Sequence, residues 1–252
     1  MDYEKLLNLG SELGRLLMHS GAEIYRVEES VTRLLTAYGA HPQVFAIPNC
    51  LIVGIDTPEG KPLTRMCRIP AHGTDIELLE QCNDLCRKLC ADPVPVEEAL
   101  GLLPREEGRW RKFSNKVTML GYFLTGAFFC AFFGGTVRDF FCAGIVGLIL
   151  GVFMLYGHRV VGSNSFFRTV LGAALSAVLS VILVRMGLGQ HDDLITIGVL
   201  MLLVPGMALT NAMREIMAGD IISGVNRTAE VILVATAIAL GTALPMMAAR
   251  LW

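Results

Sequence analysis

Beyond residue 112 the chain carries almost no charge except at the ends of long apolar stretches, a pattern that few soluble folds can accommodate. Residues 117–137 (21 residues), 140–157 (18), 169–184 (16), 194–213 (20) and 231–249 (19) contain no Asp, Glu, Lys or Arg. A helix needs about 20 mostly apolar residues to cross a hydrocarbon core of roughly 30 Å, so four stretches fit outright. The third is extended by Phe166 and Phe167 to about 167–184, with Arg168 and Arg185 placed to snorkel. Residues 1–112 differ: they hold 30 of the 44 charges, 13 basic and 17 acidic. The expected fold class is an α-helical polytopic membrane protein with five transmembrane helices at 113–252. An N-terminal cytoplasmic α+β domain at 1–112 precedes them. A net charge of −2 leaves no basic footprint for nucleic acid.

Within 1–112, Leu6, Leu9, Leu13, Leu16 and Leu17 recur at helical spacing. Ser20-Gly21-Ala22-Glu23 has the form of a capping box, with Ser20 opening a second helix and Glu23 reaching back. That helix aligns Ile24, Val27, Val31, Leu34 and Tyr38 and stops at Gly39. β-rich runs at 44–47, 51–55 and 63–69 follow, separated by turn residues. A third helix is expected from Thr74 to about Leu89, then a short one over 96–103 and a charged stretch over 105–112. The opening Met1-Asp2-Tyr3-Glu4 has no basic leader, so no cleavable signal is expected.

Orientation follows from the basic residues flanking the stretches. Arg105, Arg109, Arg111, Lys112, Lys116, Arg159, Arg168, Arg214 and Arg227 fall on one side, and Arg138, Arg185 and Arg250 on the other. The positive-inside rule puts the nine, and the amino terminus, in the cytoplasm and the carboxyl terminus outside a bacterial inner membrane. Gly147 and Gly151 form a GxxxG element, and Gly172, Ser176 and Ser180 make a small-residue stripe. Such residues let backbones approach closely, which favours a packed bundle over a simple anchor.

The candidate chemistry is uneven. Cys82, Cys86 and Cys90 share one helix face, but no CxxC pair or nearby histidine completes a metal site, and reduced thiols packing as small hydrophobes explain them better. No metal or other cofactor is expected. His19 beside Ser20 suggests a nucleophile, yet the capping role already accounts for Ser20. His41 and His72 sit in loops with no evident partner. The strongest signal is Pro205-Gly206 within the fourth stretch. Proline removes a backbone donor and clashes with the preceding turn, and carbonyls freed around Met201 and Leu202 must find other partners in lipid. A packing kink is the bland alternative, and broken helices at transport sites the functional one. Asn211, Arg214, Glu215, Asp220, Arg227 and Glu230 then form a polar patch before the last stretch. Asp139 is a lone acid at the outer end of the second stretch, with Arg138 as its expected partner.

The segments HSGAEIYRVEESVTRLLTAYG, which contains Glu23, Arg26 and Glu28, and LVPGMALTNAMREIMAGDIISGVNRTAE resemble the two signature stretches of the threonine/serine exporter family. The resemblance spans essentially the whole chain. It implies a secondary exporter, not ATP-driven, that moves a small polar metabolite out of the cytoplasm, either a threonine- or serine-like amino acid or a succinate-like dicarboxylate. Full-length members carry a second membrane half, so the resemblance also implies a small membrane subunit as partner; homo-oligomerisation stays open. On this reading Arg214 or Arg227 attracts a carboxylate, and Asp220 or Glu230 balances the charge or carries a proton. Pro205, Gly206, Asn211 and Asp139 complete the transport candidates. A membrane-tethered hydrolase acting through the N-terminal domain is the second class of function, and a regulatory subunit that never meets solute the third.

Overall fold

The computed structural model describes residues 2–58, 60–70, 73–104, 113–157 and 164–251. Two compact units divide the chain: Met1–Trp110 with Thr210–Thr228, and Arg111–Leu209 with Ala229–Trp252. The first unit thus takes in a segment from far along the sequence.

In that first unit, α1 (Tyr3–His19) starts where the Asp2 carboxylate accepts from the Lys5 N–H at 3.1 Å. Then come α2 (Ile24–Ala37), β1 (His41–Ile47), β2 (Cys50–Asp56), β3 (Pro62–Arg68), α3 (Ile76–Ala91) and α4 (Val96–Leu102). The strands form an antiparallel meander in the order β1-β2-β3. Alternation along β2 sends Leu51, Val53 and Ile55 inward, where they meet the leucine face of α1 and Ile24, Val27, Val31 and Leu34 of α2. Each such side chain contributes about 1.5–3 kcal/mol when fully buried. Gly14 lets α1 settle onto the sheet, since a Cβ there would stand 2.5 Å from Leu51 Cδ2.

Ser20 does not open α2. It closes α1: its N–H donates to the Leu16 carbonyl at 3.0 Å and its hydroxyl to the Leu17 carbonyl at 2.8 Å. Gly21, at φ +90°, then turns the chain against the Gly73 carbonyl, where no Cβ would fit. The N-cap position of α2 falls to Glu23, whose side chain makes no capping hydrogen bond. α3 likewise begins two residues later than Thr74, because Asp75 caps it by accepting from the Leu78 N–H.

The apolar stretches fold differently from their sequence limits. α5 (Asn115–Phe132) ends early because Gly134, at φ +96°, and Gly135 turn the chain inside 117–137. Thr136 caps the next helix, so Arg138 and Asp139 belong to α6 (Val137–Tyr156). α7 (Ser165–Arg185) follows. The stretch 194–213 is not one helix: α8 (Asp192–Leu200) stops, residues 201–205 turn, and α9 (Gly206–Met217) begins anew. The last helix, α10 (Ile221–Leu251), starts ten residues before 231 and absorbs Arg227 and Glu230. Among the described residues, three helices are long and apolar enough to cross a membrane: α6, α7 and α10 over Ile221–Ala249.

Glycines set the helix packing of the second unit. A Cβ on Gly147 would stand 2.6 Å from the Tyr122 carbonyl oxygen, and one on Gly126 2.8 Å from that of Ala143, so α5 and α6 touch backbone to backbone. Gly198 brings α8 equally close to Cys130 of α5. Ser176 and Ser180 are fully buried and donate to the carbonyls of Gly172 and Ser176, which leaves no hydroxyl unsatisfied along that stripe. The charged stretch 105–112 lies outside the described residues, as do His72 and Arg159.

Candidate functional site

The turn between α1 and α2 meets the hairpin made by α9 and the start of α10, all within the first unit. Arg214 Nη1 donates to Glu23 Oε1 at 2.7 Å. The Ile24 N–H, the first of α2, donates to Glu215 Oε1 at 3.3 Å. Arg227 Nη2 donates to the Ala22 carbonyl at 3.1 Å. Helix starts leave backbone N–H groups unpaired and favour a negative charge, so Glu215 supplies from 191 residues away the cap that Ser20 does not.

Glu23, Glu215, Arg214 and Arg227 balance in formal charge, and three of the four are buried. Glu215 is fully buried, and the Glu23 and Arg227 side chains are 7% and 10% exposed; Arg214 reaches solvent. Arg227 Nε lies 3.4 Å from Glu215 Oε1, close enough for an ion pair but not aligned as a hydrogen bond. Three buried polar atoms of the cluster therefore have no hydrogen-bond partner: Glu215 Oε2, Arg227 Nε and Ser223 Oγ. Ser223 and Arg227 are one turn apart on α10. Unpaired buried polar atoms cost free energy, so these three are the least well satisfied part of the cluster. Burial pushes the Glu215 carboxyl upward despite the Arg227 charge. Burial acts on Glu23 too, but the Arg214 hydrogen bond, its own backbone N–H and Arg26 together hold it below the usual carboxylate range.

The other signature residues are placed around this core. Arg26 is exposed, with Nε 3.6 Å from Glu23 Oε2. Glu28 ties α2 to β1 by accepting from the Ala46 N–H at 2.7 Å, and burial raises its pKa. Asp220 follows the Gly219 turn and caps α10 through the Ser223 N–H, so the carboxylate that meets Arg214 is Glu23 and not Asp220. Asn211 is half-buried on α9. Glu230 falls in the second unit, on an exposed position of α10.

Pro205 and Gly206 occupy the helix break of the second unit. No backbone N–H among the described residues donates to the carbonyls of Met201, Leu202 or Leu203, while Leu200 accepts twice, from Leu203 and Val204. The freed carbonyls are those the proline position implies.

Asp139, also in the second unit, does not pair with Arg138, since consecutive helical residues point apart. It is fully buried and accepts from the Thr136 N–H and hydroxyl, the Gln190 N–H at 2.6 Å, the His191 N–H at 3.1 Å and His191 Nδ1 at 2.9 Å. The carboxylate thus joins the start of α6 to the α7–α8 connection. The Asp139 hydrogen bond raises the His191 pKa. A raised imidazole contributes stability that is complete below its ordinary value of about 6.5 and disappears as pH climbs through the raised one. The gap in thermal midpoint between the native chain and His191→Gln should accordingly narrow on going from pH 6 to pH 9. A gap independent of pH would show that the imidazolium plays no part.

Cys82 and Cys86 are buried in α3, and burial pushes both thiols up to about 12, as fits small hydrophobes rather than ligands. Among the described residues no group of three His, Cys, Asp or Glu is placed to hold a metal ion. Ser20 is spent on the end of α1. Ser223 carries no signal in the sequence, and Glu215 stands there as one member of the polar patch, without the capping and pairing role that the structure gives it. Ala212 and Glu215, one turn apart, are the buried positions of α9, so a glutamate occupies the packed face of that helix.

The family model described as "Putative threonine/serine exporter" (ThrE) matches residues 8–249, nearly the whole chain. Neither the curated proteins nor the solved structures contain a match to it.

Proposed function

The chain belongs to the threonine/serine exporter family, and from that premise we propose that it moves a small zwitterionic amino acid, threonine or serine in kind, out of the cytoplasm. The observation that carries this reading is the cluster of two glutamates and two arginines, in which Glu23, Glu215 and Arg227 are buried and Arg214 stands at the solvent edge. The cluster's formal charge is zero. An α-amino acid presents one carboxylate and one ammonium, which Arg214 or Arg227 and Glu215 Oε2 can meet in turn. The orphaned Ser223 hydroxyl suits a side-chain hydroxyl. A dicarboxylate such as succinate would bring two negative charges to a site that already holds Glu23 and Glu215, a repulsion felt strongly where water is excluded.

Arg214 is the entry point because it reaches solvent and carries a planar fork that grips carboxylates in two places. A solute carboxylate exchanges with Glu23 on that fork. The freed carbonyls around Met201 belong to a broken helix of the kind transporters use to line a path. The proposal keeps five membrane segments, with 117–137 and the interrupted 194–213 alongside the three long helices. It places the amino terminus in the cytoplasm of a bacterial cell and the carboxyl terminus outside the inner membrane. A small membrane subunit supplies the second half of the pathway.

Efflux from vesicles holding the chain together with a small membrane protein encoded beside it tests the reading. Labelled threonine or serine should leave faster than labelled succinate, and vesicles with the chain alone should leak no faster than empty ones. Preferential succinate efflux would overturn the amino-acid assignment. Saturable efflux from the chain alone would remove the partner.

A further inference from the structure

A polar concavity lies on the first unit, between α2 and α3. Its volume is about 410 Å³, within the range of small-molecule pockets. Arg26 and Arg33, two turns apart on α2, and Arg87 of α3 all line it. Tyr25 and Asn83 add neutral hydrogen-bonding groups, and Glu29 is the one carboxylate in the lining. Glu29 is already engaged by Arg33 Nη2 at 2.6 Å. Arg87 has no hydrogen-bond or ion-pair partner among the described residues. Three arginines thus line one pocket whose own lining holds a single carboxylate; Arg33 is paired with Glu29, Arg26 approaches Glu23 outside the lining, and Arg87 is left as the uncompensated charge. Like charges brought together repel unless an anion joins them.

We propose that this pocket binds a small soluble polyanion, a molecule carrying two or more carboxylate or phosphate groups. Each arginine offers a fork of parallel donors that matches either group. Three forks from two helices hold a multiply charged ligand better than a single carboxylate, which separates it from a monovalent amino-acid solute. Arg26 is shared with the signature cluster through its 3.6 Å approach to Glu23. An anion that draws Arg26 into the pocket leaves Glu23 to Arg214 alone, so the pocket is placed to report a metabolite level to that cluster. The binding itself does not rest on the transport reading.

Isothermal titration of the purified full chain in neutral detergent tests it, with inorganic pyrophosphate and citrate as probes. At least one should bind at a single saturable site. Arg87→Gln and Arg33→Gln should each weaken that binding at least tenfold while the thermal midpoint without ligand stays that of the native chain. Arg65→Gln, on β3 and outside the pocket, should bind as the native chain does. No saturable binding of either probe up to 10 mM, about 2.7 kcal/mol of association free energy, would overturn the proposal. So would equal weakening by Arg65→Gln, which would mean diffuse attraction to surface charge, or unchanged affinity in both pocket variants.

Discussion

Glu215→Leu is expected to lower the stability of the chain by about 3–5 kcal/mol, the cost of leaving a buried charge without its partner. The stranded charge is Arg227, whose side chain is 10% exposed and whose Nε already lacks a hydrogen bond. The first N–H of α2 also loses its acceptor. Adding Arg227→Leu to the same chain should restore much of the loss, because a well-packed apolar pair often equals a buried ionic one. Thermal unfolding of the full chain in detergent reads both variants. A midpoint unchanged in Glu215→Leu would mean that the pair contributes nothing to the fold.

Arg214→Lys should cut amino-acid efflux at least tenfold, about 1.4 kcal/mol, at equal membrane abundance. Lysine keeps the charge and can still reach Glu23, but it lacks the second parallel donor that lets a solute carboxylate take hold as Glu23 lets go. Glu23→Gln should slow efflux as well, since the competing carboxylate that releases the solute is gone. The double variant should then be little slower than either single one, because the two residues act on one step. Native rates in Arg214→Lys would place the carboxylate site elsewhere, with Arg227 next in line.

What could be read from the sequence was what depends on near neighbours. The leucine spacing of α1 and the effect of Pro205 are local, and they reappear in the buried face of α1 and the break after Leu200. The capping box was a local reading that tertiary structure overrode: Ser20 is drawn back onto α1 because Gly21 turns the chain first. In the sequence, charges mark helix ends, yet Arg227 continues a helix inside α10 because Ala22 and Glu215 from other elements receive it. Asp139 looked solitary beside Arg138 because its acceptors' partners, Gln190 and His191, lie 51 and 52 residues on. The signature stretches could be recognised, but no periodicity in either shows that Glu23 and Arg214 touch across 191 residues.

That separation bears on how the polypeptide is made. Synthesis runs from the amino terminus, and the α1–α2 turn leaves the ribosome long before Arg214, Glu215 and Arg227 exist. Until those residues are translated, α2 has an uncapped start and the Ala22 carbonyl lacks its arginine donor. Contacts so distant in sequence close slowly, because the loop entropy is lost before the contact forms. The early product is therefore an unfinished domain whose last pieces arrive only after most of the apolar helices have been threaded out. A gene fragment cut at residue 112 would yield that unfinished state permanently. A chain stalled before Arg227 would therefore leave the first helix pair without the acceptor at the start of α2 and the donor to Ala22.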